Sequence, residues 1–126
     1  MLEIGVSFGG SLQAWKKYFG RTSIIVGVDI NEDVCAHRYL YESGVLSFCF
    51  DASIPENLAA FYSASRDASG RLVTAARAAG DRGVPLLYDI IIDDGSHRNS
   101  DVIRTFKASF EHMSVGGVYI VEDVLW

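Results

Sequence analysis

Cysteine is scarce in this chain, with only 2 residues among 126. Cys35 and Cys49 are too few and too irregularly placed for a disulfide framework or a zinc site, so we expect both to be small buried apolar side chains. Internal repeats, low-complexity tracts and interdomain linkers are also absent from the sequence. The length fits one domain of ordinary size, so residues 1–126 are predicted to form a single domain.

Clusters of lysine and arginine are missing as well. With 11 basic residues, 16 acidic residues and a net charge of −5, the chain lacks the basic surface that binds a DNA or RNA backbone. We expect no nucleic-acid partner, although a single nucleotide remains compatible with this charge. The N-terminus has no basic segment typical of a secretory signal, and no apolar run approaches the length of a membrane span. A soluble, cytoplasmic protein with no membrane partner is therefore expected.

Apolar segments alternate with amphipathic ones, and the hydrophobic fraction of 49% is enough for a core. This alternation predicts an α/β fold, namely a doubly wound, Rossmann-like, mostly parallel sheet with helices on both faces. We expect the strand order 3-2-1-4-5. The predicted strands are residues 2–6, 23–30, 45–50, 88–93 and 118–121. The predicted helices are residues 11–19, 32–42, 56–66, 71–79 and 100–113, with a break at 67–70 and a loop at 80–85.

The sequence ends just after the fifth predicted strand. Doubly wound domains usually continue to a sixth or later strand, so we expect an incomplete domain that is truncated before strands six and seven. The fifth strand then lies at an edge of the sheet, where it can pair with another chain. A homo-oligomer formed through this edge is one expectation.

A glycine-rich turn follows the first predicted strand and contains, in order, Glu3, Gly5, Ser7, Gly9 and Gly10. Glycine lets the backbone approach a ligand closely and adopt positive φ. The turn is not a phosphate-binding P-loop, because the Gly-Lys-Ser/Thr sequence is missing. It is not a dinucleotide fingerprint either, because Ser7 replaces the second glycine, where the backbone approaches a pyrophosphate. A ligand without pyrophosphate tolerates this change better.

Acidic residues accompany the first three strands. Asp29 ends the second strand, where a carboxylate can accept both ribose hydroxyls of a nucleoside, and Asp51 ends the third, where it can reach an adenine edge. Glu3 lies inside the first strand and can accept hydrogen bonds from loop amides or from a ligand ammonium group. The alternative for Asp29 is a helix N-terminal acid stabilised by the helix dipole. With the glycine turn, these acids predict a nucleotide or nucleoside ligand without distinguishing S-adenosylmethionine from NAD.

Three further acids follow the fourth and fifth strands: Asp94, and the pair Glu122 and Asp123. Carboxylates that converge in one crevice repel each other unless a cation neutralises them. Ligation by oxygen alone suits Mg²⁺, although Mn²⁺ and Ca²⁺ remain open. The alternatives are an Asp-rich turn at Asp94 and simple strand termination at Glu122. Because the acids end adjacent strands on the ligand-binding side, we favour a metal site formed by Asp94, Glu122 and Asp123.

A histidine, His97, lies three residues after Asp94. Its ordinary pKa suits a general base, and the spacing places it close to whatever the metal holds. The alternative is a turn or capping residue. We predict that His97 is the catalytic base, whereas His37 and His112 lie in helical patterns and are expected to be structural or exposed.

Four segments resemble a known family: LEIGVSFGGSLQAW, IIVGVDI, YDIIIDDGSH and GGVYIVEDV. They are similar to the class I S-adenosylmethionine-dependent methyltransferases, more narrowly to the Mg²⁺-dependent mycinamicin- and macrocin-type sugar O-methyltransferases and their cephalosporin-hydroxylase-like relatives. The resemblance implies the same metal ligands and the same base as above. It also implies an S-adenosylmethionine site, for which the predicted residues are Glu3, Gly5, Ser7, Gly9, Asp29 and Asp51.

The function that this resemblance implies is metal-assisted O-methyl transfer from S-adenosylmethionine to a small-molecule hydroxyl acceptor, on a sugar or a small natural product. The chain departs from the family after the third strand, where Phe50-Asp51-Ala52 stands in place of the usual Gly-Asp-Gln. Two alternatives remain open. One is an NAD-binding oxidoreductase domain, which Ser7 and the acid cluster disfavour, and the other is a non-catalytic remnant of the methyltransferase fold.

Overall fold

A five-stranded sheet forms the centre of the computed structural model, which describes residues 1–35, 44–66 and 87–124. The strands are β1 (Leu2–Ile4), β2 (Val26–Asp29), β3 (Leu46–Cys49), β4 (Tyr88–Asp93) and β5 (Met113–Val121). The helices are α1 (Gly10–Phe19), α2 (Glu32–Cys35), α3 (Pro55–Arg66) and α4 (Asn99–Ser109), and a 3₁₀ turn at Phe110–His112 leads from α4 into β5.

The strand order is β3-β2-β1-β4-β5, and every neighbouring pair is parallel. The predicted doubly wound α/β fold and its strand order are therefore confirmed. Ile4 lies opposite both Val28 and Asp93, and Asp93 lies opposite Val121. Because the strands are parallel and in this register, their carboxyl ends meet at one edge of the sheet, where such folds bind ligands.

Apolar side chains cover the two faces of the sheet as two separate clusters. On one face, Leu58, Phe61 and Tyr62 of α3 pack against buried residues of all strands except β5. On the other face, Leu12 of α1 packs with Val6 and other buried residues, flanked by the half-buried Trp15. The alternation of side chains along each strand produces these two layers, as a strand period of two requires.

The two largest boundary differences from the prediction lie where α4 leads into β5. The helix predicted over residues 100–113 ends at Ser109, and β5 begins at Met113 instead of residue 118. Gly116 and Gly117, which were expected to end the connection, lie inside β5, where the pairing with β4 is irregular between Tyr88 and Ile90. Gly116 has φ 82°, so the extra residues are accommodated by a bulge that glycine makes accessible.

The expectation for Cys49 is wrong, because this residue is exposed at the end of β3 and disulfide-bonded. The predicted helical residues 36–42, the break at 67–70, the helix at 71–79 and the loop at 80–85 lie outside the described residues. None of the helices in the described part of the chain has the length and apolar composition needed to cross a membrane.

Glu3 is a buried acid in the middle of β1, with 3% of its surface exposed. Its Oε1 accepts a hydrogen bond from the Ser11 hydroxyl, and its Oε2 accepts one from the Trp15 indole N–H at 3.0 Å. Both donors belong to α1, so Glu3 attaches this helix to the central strand. Burial raises the pKa of Glu3, the two hydrogen bonds oppose the rise, and the charges of Asp94 and Glu122 add to it.

We predict that Gly27→Ala destabilises the fold. A Cβ at Gly27 would lie 2.5 Å from Leu12 Cδ1 and 2.8 Å from Val6 Cγ2, both in the packed layer beneath α1. Overpacking of this kind costs about 1–3 kcal/mol of unfolding free energy, which urea denaturation measures. Gly10→Ala is the control, since a Cβ there meets nothing within 4 Å. Equal stability of the two variants would contradict the packing described here.

A second prediction concerns pH. Because the pKa of Glu3 is raised above its ordinary value of 4.5 in the folded chain, its contribution to stability is full below that pH. The contribution is lost as the pH rises through the raised pKa. Glu3→Gln keeps groups that can pair with Ser11 and Trp15 but carries no charge, so its stability should fall less over this range.

Urea unfolding of both proteins from about pH 4 to about pH 8 measures the difference. Glu56→Gln, which neutralises an exposed acid in the first turn of α3, should follow the wild-type pH profile. If Glu3→Gln also followed that profile, Glu3 would not be the titrating group.

Candidate active site

A cleft of about 680 Å³ lies at the carboxyl ends of the strands. Each of the five strands contributes residues at or just beyond its end, so the cleft follows directly from the parallel register. Seven of the predicted site residues line it: Gly5, Ser7, Asp29, Asp51, Asp94, His97 and Asp123. Three others, Glu3, Gly9 and Glu122, are described by the structure but are not among the lining residues.

The glycine-rich turn begins where β1 passes against the end of β4. Gly5 has φ 86°, and a Cβ at this position would lie 2.1 Å from the backbone oxygen of Asp94. Glycine is required here for both reasons, since any side chain would push the two strand ends apart. Gly9 has φ 74° and is the N-cap of α1. It therefore determines how the turn leads into the helix, although it does not line the cleft.

Asp29 fixes the shape of the same turn. Its Oδ2 accepts hydrogen bonds from the backbone N–H groups of Val6 at 2.8 Å and Ser7 at 3.0 Å. Its Oδ1 accepts the N–H of Asn31, just before α2, at 2.8 Å. The structure thus brings Asp29 to the cleft, as the sequence predicts, and adds a role that the sequence does not indicate: ordering the glycine-rich turn.

Asp51 holds the loop that follows β3. Its Oδ1 accepts hydrogen bonds from the N–H of Ser53 at 2.9 Å and from the Ser53 hydroxyl at 2.7 Å. Such a turn is typical of aspartate after a strand. Asp51 therefore lines the cleft at the end opposite to β5, where the sequence places an adenine contact.

A potential metal-binding group lies at the other end of the cleft. Asp94, His97 and Asp123 each offer one ligand atom, and these atoms all lie within 4.8 Å of one another. His97 Nε2 is 4.0 Å from Asp94 Oδ1, and the two side chains are 33% and 38% exposed. Two of the three acids predicted as ligands are thus brought together, and His97 joins them.

Glu122 is exposed and not part of this group of three in the described residues. Its backbone N–H donates to the oxygen of Asp93 at 2.9 Å, which continues the pairing of β4 and β5 by one residue. Its charge, like that of Asp94, raises the pKa of Glu3.

Unfavourable backbone conformations concentrate in the cleft. Within the described residues, three residues other than glycine have positive φ: Ser7 at 48°, His97 at 58° and Asp123 at 49°. All three line the cleft. Such conformations cost about 1–3 kcal/mol each and persist only where the surroundings enforce them, which is typical of functional sites. The Nδ1 atom of His97 is also buried and has no hydrogen-bond partner in the described part of the chain.

Several residues outside the predicted set of site residues support the site. Asp93 is buried, and burial raises its pKa. Its Oδ1 accepts the Gly95 N–H at 3.3 Å and its Oδ2 accepts the Tyr119 hydroxyl at 3.4 Å, which holds the turn after Asp94 against β5. Asp101 and Arg104 of α4 are also beside the cleft. From the sequence alone, Asp101 indicates only an acid in the first turn of a helix, where it interacts favourably with the helix dipole.

Curated relatives are found among sugar methyltransferases, whereas no protein-family model matches the chain. It is 35% identical, over 98% of its length and 28% of the relative, to 8-demethyl-8-α-L-rhamnosyl tetracenomycin-C 2′-O-methyltransferase of Streptomyces olivaceus. It is 34% identical, over 100% of its length and 27% of the relative, to demethylmacrocin O-methyltransferase of Streptomyces fradiae. Its identity to mycinamicin VI 2″-O-methyltransferase of Micromonospora griseorubida is also 34%, over 98% and 27%.

Solved structures give the same result. The MycE methyltransferase of the mycinamycin pathway, crystallised with Mg and SAH, superposes with a TM-score of 0.65 at 33% identity over 97% of this chain and 27% of that one. A second MycE structure, which also contains mycinamycin VI, gives the same values. The chain spans about a quarter of the length of the relatives that it matches. In sequence and in fold, the chain is therefore similar to about a quarter of the mycinamicin- and macrocin-type sugar O-methyltransferases.

Proposed function

We propose that this chain is the core of a divalent-metal-dependent O-methyltransferase that uses S-adenosylmethionine and acts on a hydroxyl of a sugar or small natural product. One observation carries the proposal: two carboxylates and an imidazole converge within 4.8 Å at one end of a cleft, and Gly5 and Ser7 of the glycine-rich turn line the same cleft. A cofactor and a metal-held acceptor would lie side by side in this arrangement.

The cofactor site in this proposal lies along the carboxyl ends of β1, β2 and β3. Gly5 and Ser7 present backbone to the cleft, Asp29 reaches the ribose hydroxyls, and Asp51 reaches the adenine edge. Gly9 and Glu3 act from behind by shaping the turn and attaching α1. Support comes from the absence of a pyrophosphate-binding glycine at Ser7 and from the MycE structures, which contain SAH.

The donor set fits a hard divalent cation. Asp94 and Asp123 supply carboxylate oxygens, which Mg²⁺ prefers, and we propose Glu122 as the third ligand because it lies at the same strand end. Mg²⁺ is also present in the MycE structures. When bound, such an ion orients the acceptor and makes its hydroxyl more acidic.

His97 is proposed as the general base. It is one-third exposed to the cleft, and its Nε2 faces Asp94. We assign it to the base and not to the metal because Mg²⁺ favours oxygen ligands over imidazole. His97 takes the proton of the acceptor hydroxyl as that oxygen attacks the methyl carbon of S-adenosylmethionine. The methyl–sulfur bond breaks, S-adenosylhomocysteine leaves, and the residues around His97 hold the two reactants in line.

Ligand binding provides the first test. We expect calorimetry to show binding of S-adenosylhomocysteine and of Mg²⁺, and no comparable binding of NAD⁺. Asp94→Asn should weaken Mg²⁺ binding by at least about tenfold, because it removes a charged ligand. Asp89→Asn is the matched control, because Asp89 lies near the amino end of the same strand, whereas Asp94 follows its carboxyl end. Tight NAD⁺ binding without a response to S-adenosylhomocysteine would favour the oxidoreductase alternative.

The base is tested by His97→Gln. If His97 removes the proton, methyl transfer from S-adenosylmethionine to a panel of vicinal-diol sugars should slow by about 10²–10⁴-fold while Mg²⁺ affinity stays near the wild-type value. A large loss of Mg²⁺ affinity would instead identify His97 as a ligand. Wild-type protein that binds both cofactors but transfers no methyl group to any acceptor would favour the remnant alternative.

A further inference from the structure

A chain of polar contacts runs beside the cleft, from the proposed metal end to the proposed adenine end. It consists of Ser96, Asp101, Arg104 and Ser53, which we call the α4 bridge because its two central residues belong to α4. The Ser96 hydroxyl donates to Asp101 Oδ2 at 2.7 Å, and Arg104 Nη2 donates to Asp101 Oδ1. Arg104 Nε then donates to the backbone oxygen of Ser53 at 3.1 Å.

Each end of the α4 bridge is attached to a proposed ligand-binding segment. Ser96 lies between Asp94 and His97, directly before His97, whose φ is 58°. Ser53 is bound through both its N–H and its hydroxyl to Oδ1 of Asp51. The two segments are therefore connected through two side chains of a single helix.

The central acid of the bridge is held tightly. Asp101 is 8% exposed, and its carboxylate also accepts a hydrogen bond from the Ser100 hydroxyl at 3.2 Å. The hydrogen bond from Ser96, ahead of the one from Ser100 and the charge of Arg104, holds the pKa of Asp101 below its ordinary value. These donors satisfy the Asp101 carboxylate without a ligand, so we assign Asp101 to holding the neighbouring loops in place.

We propose that the α4 bridge couples the two halves of the cleft, so that divalent-metal binding at the Asp94 end and adenosyl-ligand binding at the Asp51 end strengthen each other. Asp101 and Arg104 are positioning residues in this proposal, which rests on the function proposed above. A ligand that orders one loop lowers the conformational entropy that the second ligand still has to remove. Thermodynamic linkage requires the effect to be the same in both directions.

Arginine suits this bridge because its planar guanidinium can bond an acid with one nitrogen and a carbonyl with another. Here Nη2 binds the Asp101 carboxylate while Nε binds the Ser53 carbonyl. The Thr105 hydroxyl adds a second, longer contact from α4 to the same loop, to the oxygen of Ala52 at 3.5 Å. The α4 helix thus contacts the loop at adjacent positions, and only the Arg104 contact continues to Ser96.

The experiment measures the affinity for S-adenosylhomocysteine by calorimetry, with and without saturating Mg²⁺. In the wild-type chain, Mg²⁺ should tighten binding by about fivefold or more. Arg104→Met should reduce this ratio to within about twofold of one. Lys107→Met is the matched control, because it removes an exposed positive charge from the same helix and should leave the ratio unchanged.

Ser96→Ala breaks the opposite end of the bridge and should also reduce the ratio, so it decides the question if Arg104→Met does not fold. Retention of the wild-type ratio in a folded Arg104→Met or Ser96→Ala protein would overturn the proposal. Independent binding of both ligands by the wild-type chain would overturn the coupling but leave the proposed function intact. Failure of the wild-type chain to bind either ligand would reject the proposed function, and the coupling with it.

Discussion

The crowding of carboxylates at one edge of a parallel sheet governs the rest of this structure. The register places Asp93 opposite both Ile4 and Val121, so the acids that follow or precede the strand ends arrive at the same place. Like charges in such a position repel each other and raise one another's pKa unless something compensates them. The arrangement of hydrogen bonds around each acid determines which of them remain available to a ligand.

Hydrogen bonding divides the acids into two classes, namely those that the chain itself satisfies and those that remain available to a ligand. Glu3 and Asp93 are buried, and each accepts two hydrogen bonds from the chain itself, which assigns them to holding α1 and the turn after β4. Asp29 accepts three backbone N–H groups and orders the glycine-rich turn. Asp94 and Asp123, in contrast, face each other and His97 at the cleft. A cation would therefore meet a site whose supporting acids are already satisfied.

Hydrogen bonds from acidic side chains also hold the segments around the left-handed residues of the cleft. Ser7, His97 and Asp123 each have a positive φ, which residues other than glycine adopt uncommonly. The turn containing Ser7 is held by Asp29, and Ser96, next to His97, is held by Asp101. The second contact of Asp101, through Arg104 to the loop of Asp51, makes the two ends of the cleft one connected structure.

The sequence by itself determined the α/β class and the strand ends at which the acids lie, because hydrophobic periodicity and strand ends are local properties of the chain. The strand order was expected from the doubly wound class that this alternation indicates. It also placed Asp94, His97 and Asp123 in one region. Only the tertiary structure decided that Asp29 orders the turn, that Glu3 bonds to Ser11 and Trp15, and that Asp101 and Arg104 link two loops. Those roles depend on contacts between residues distant in sequence, for which a carboxylate in a strand or helix carries no distinguishing pattern.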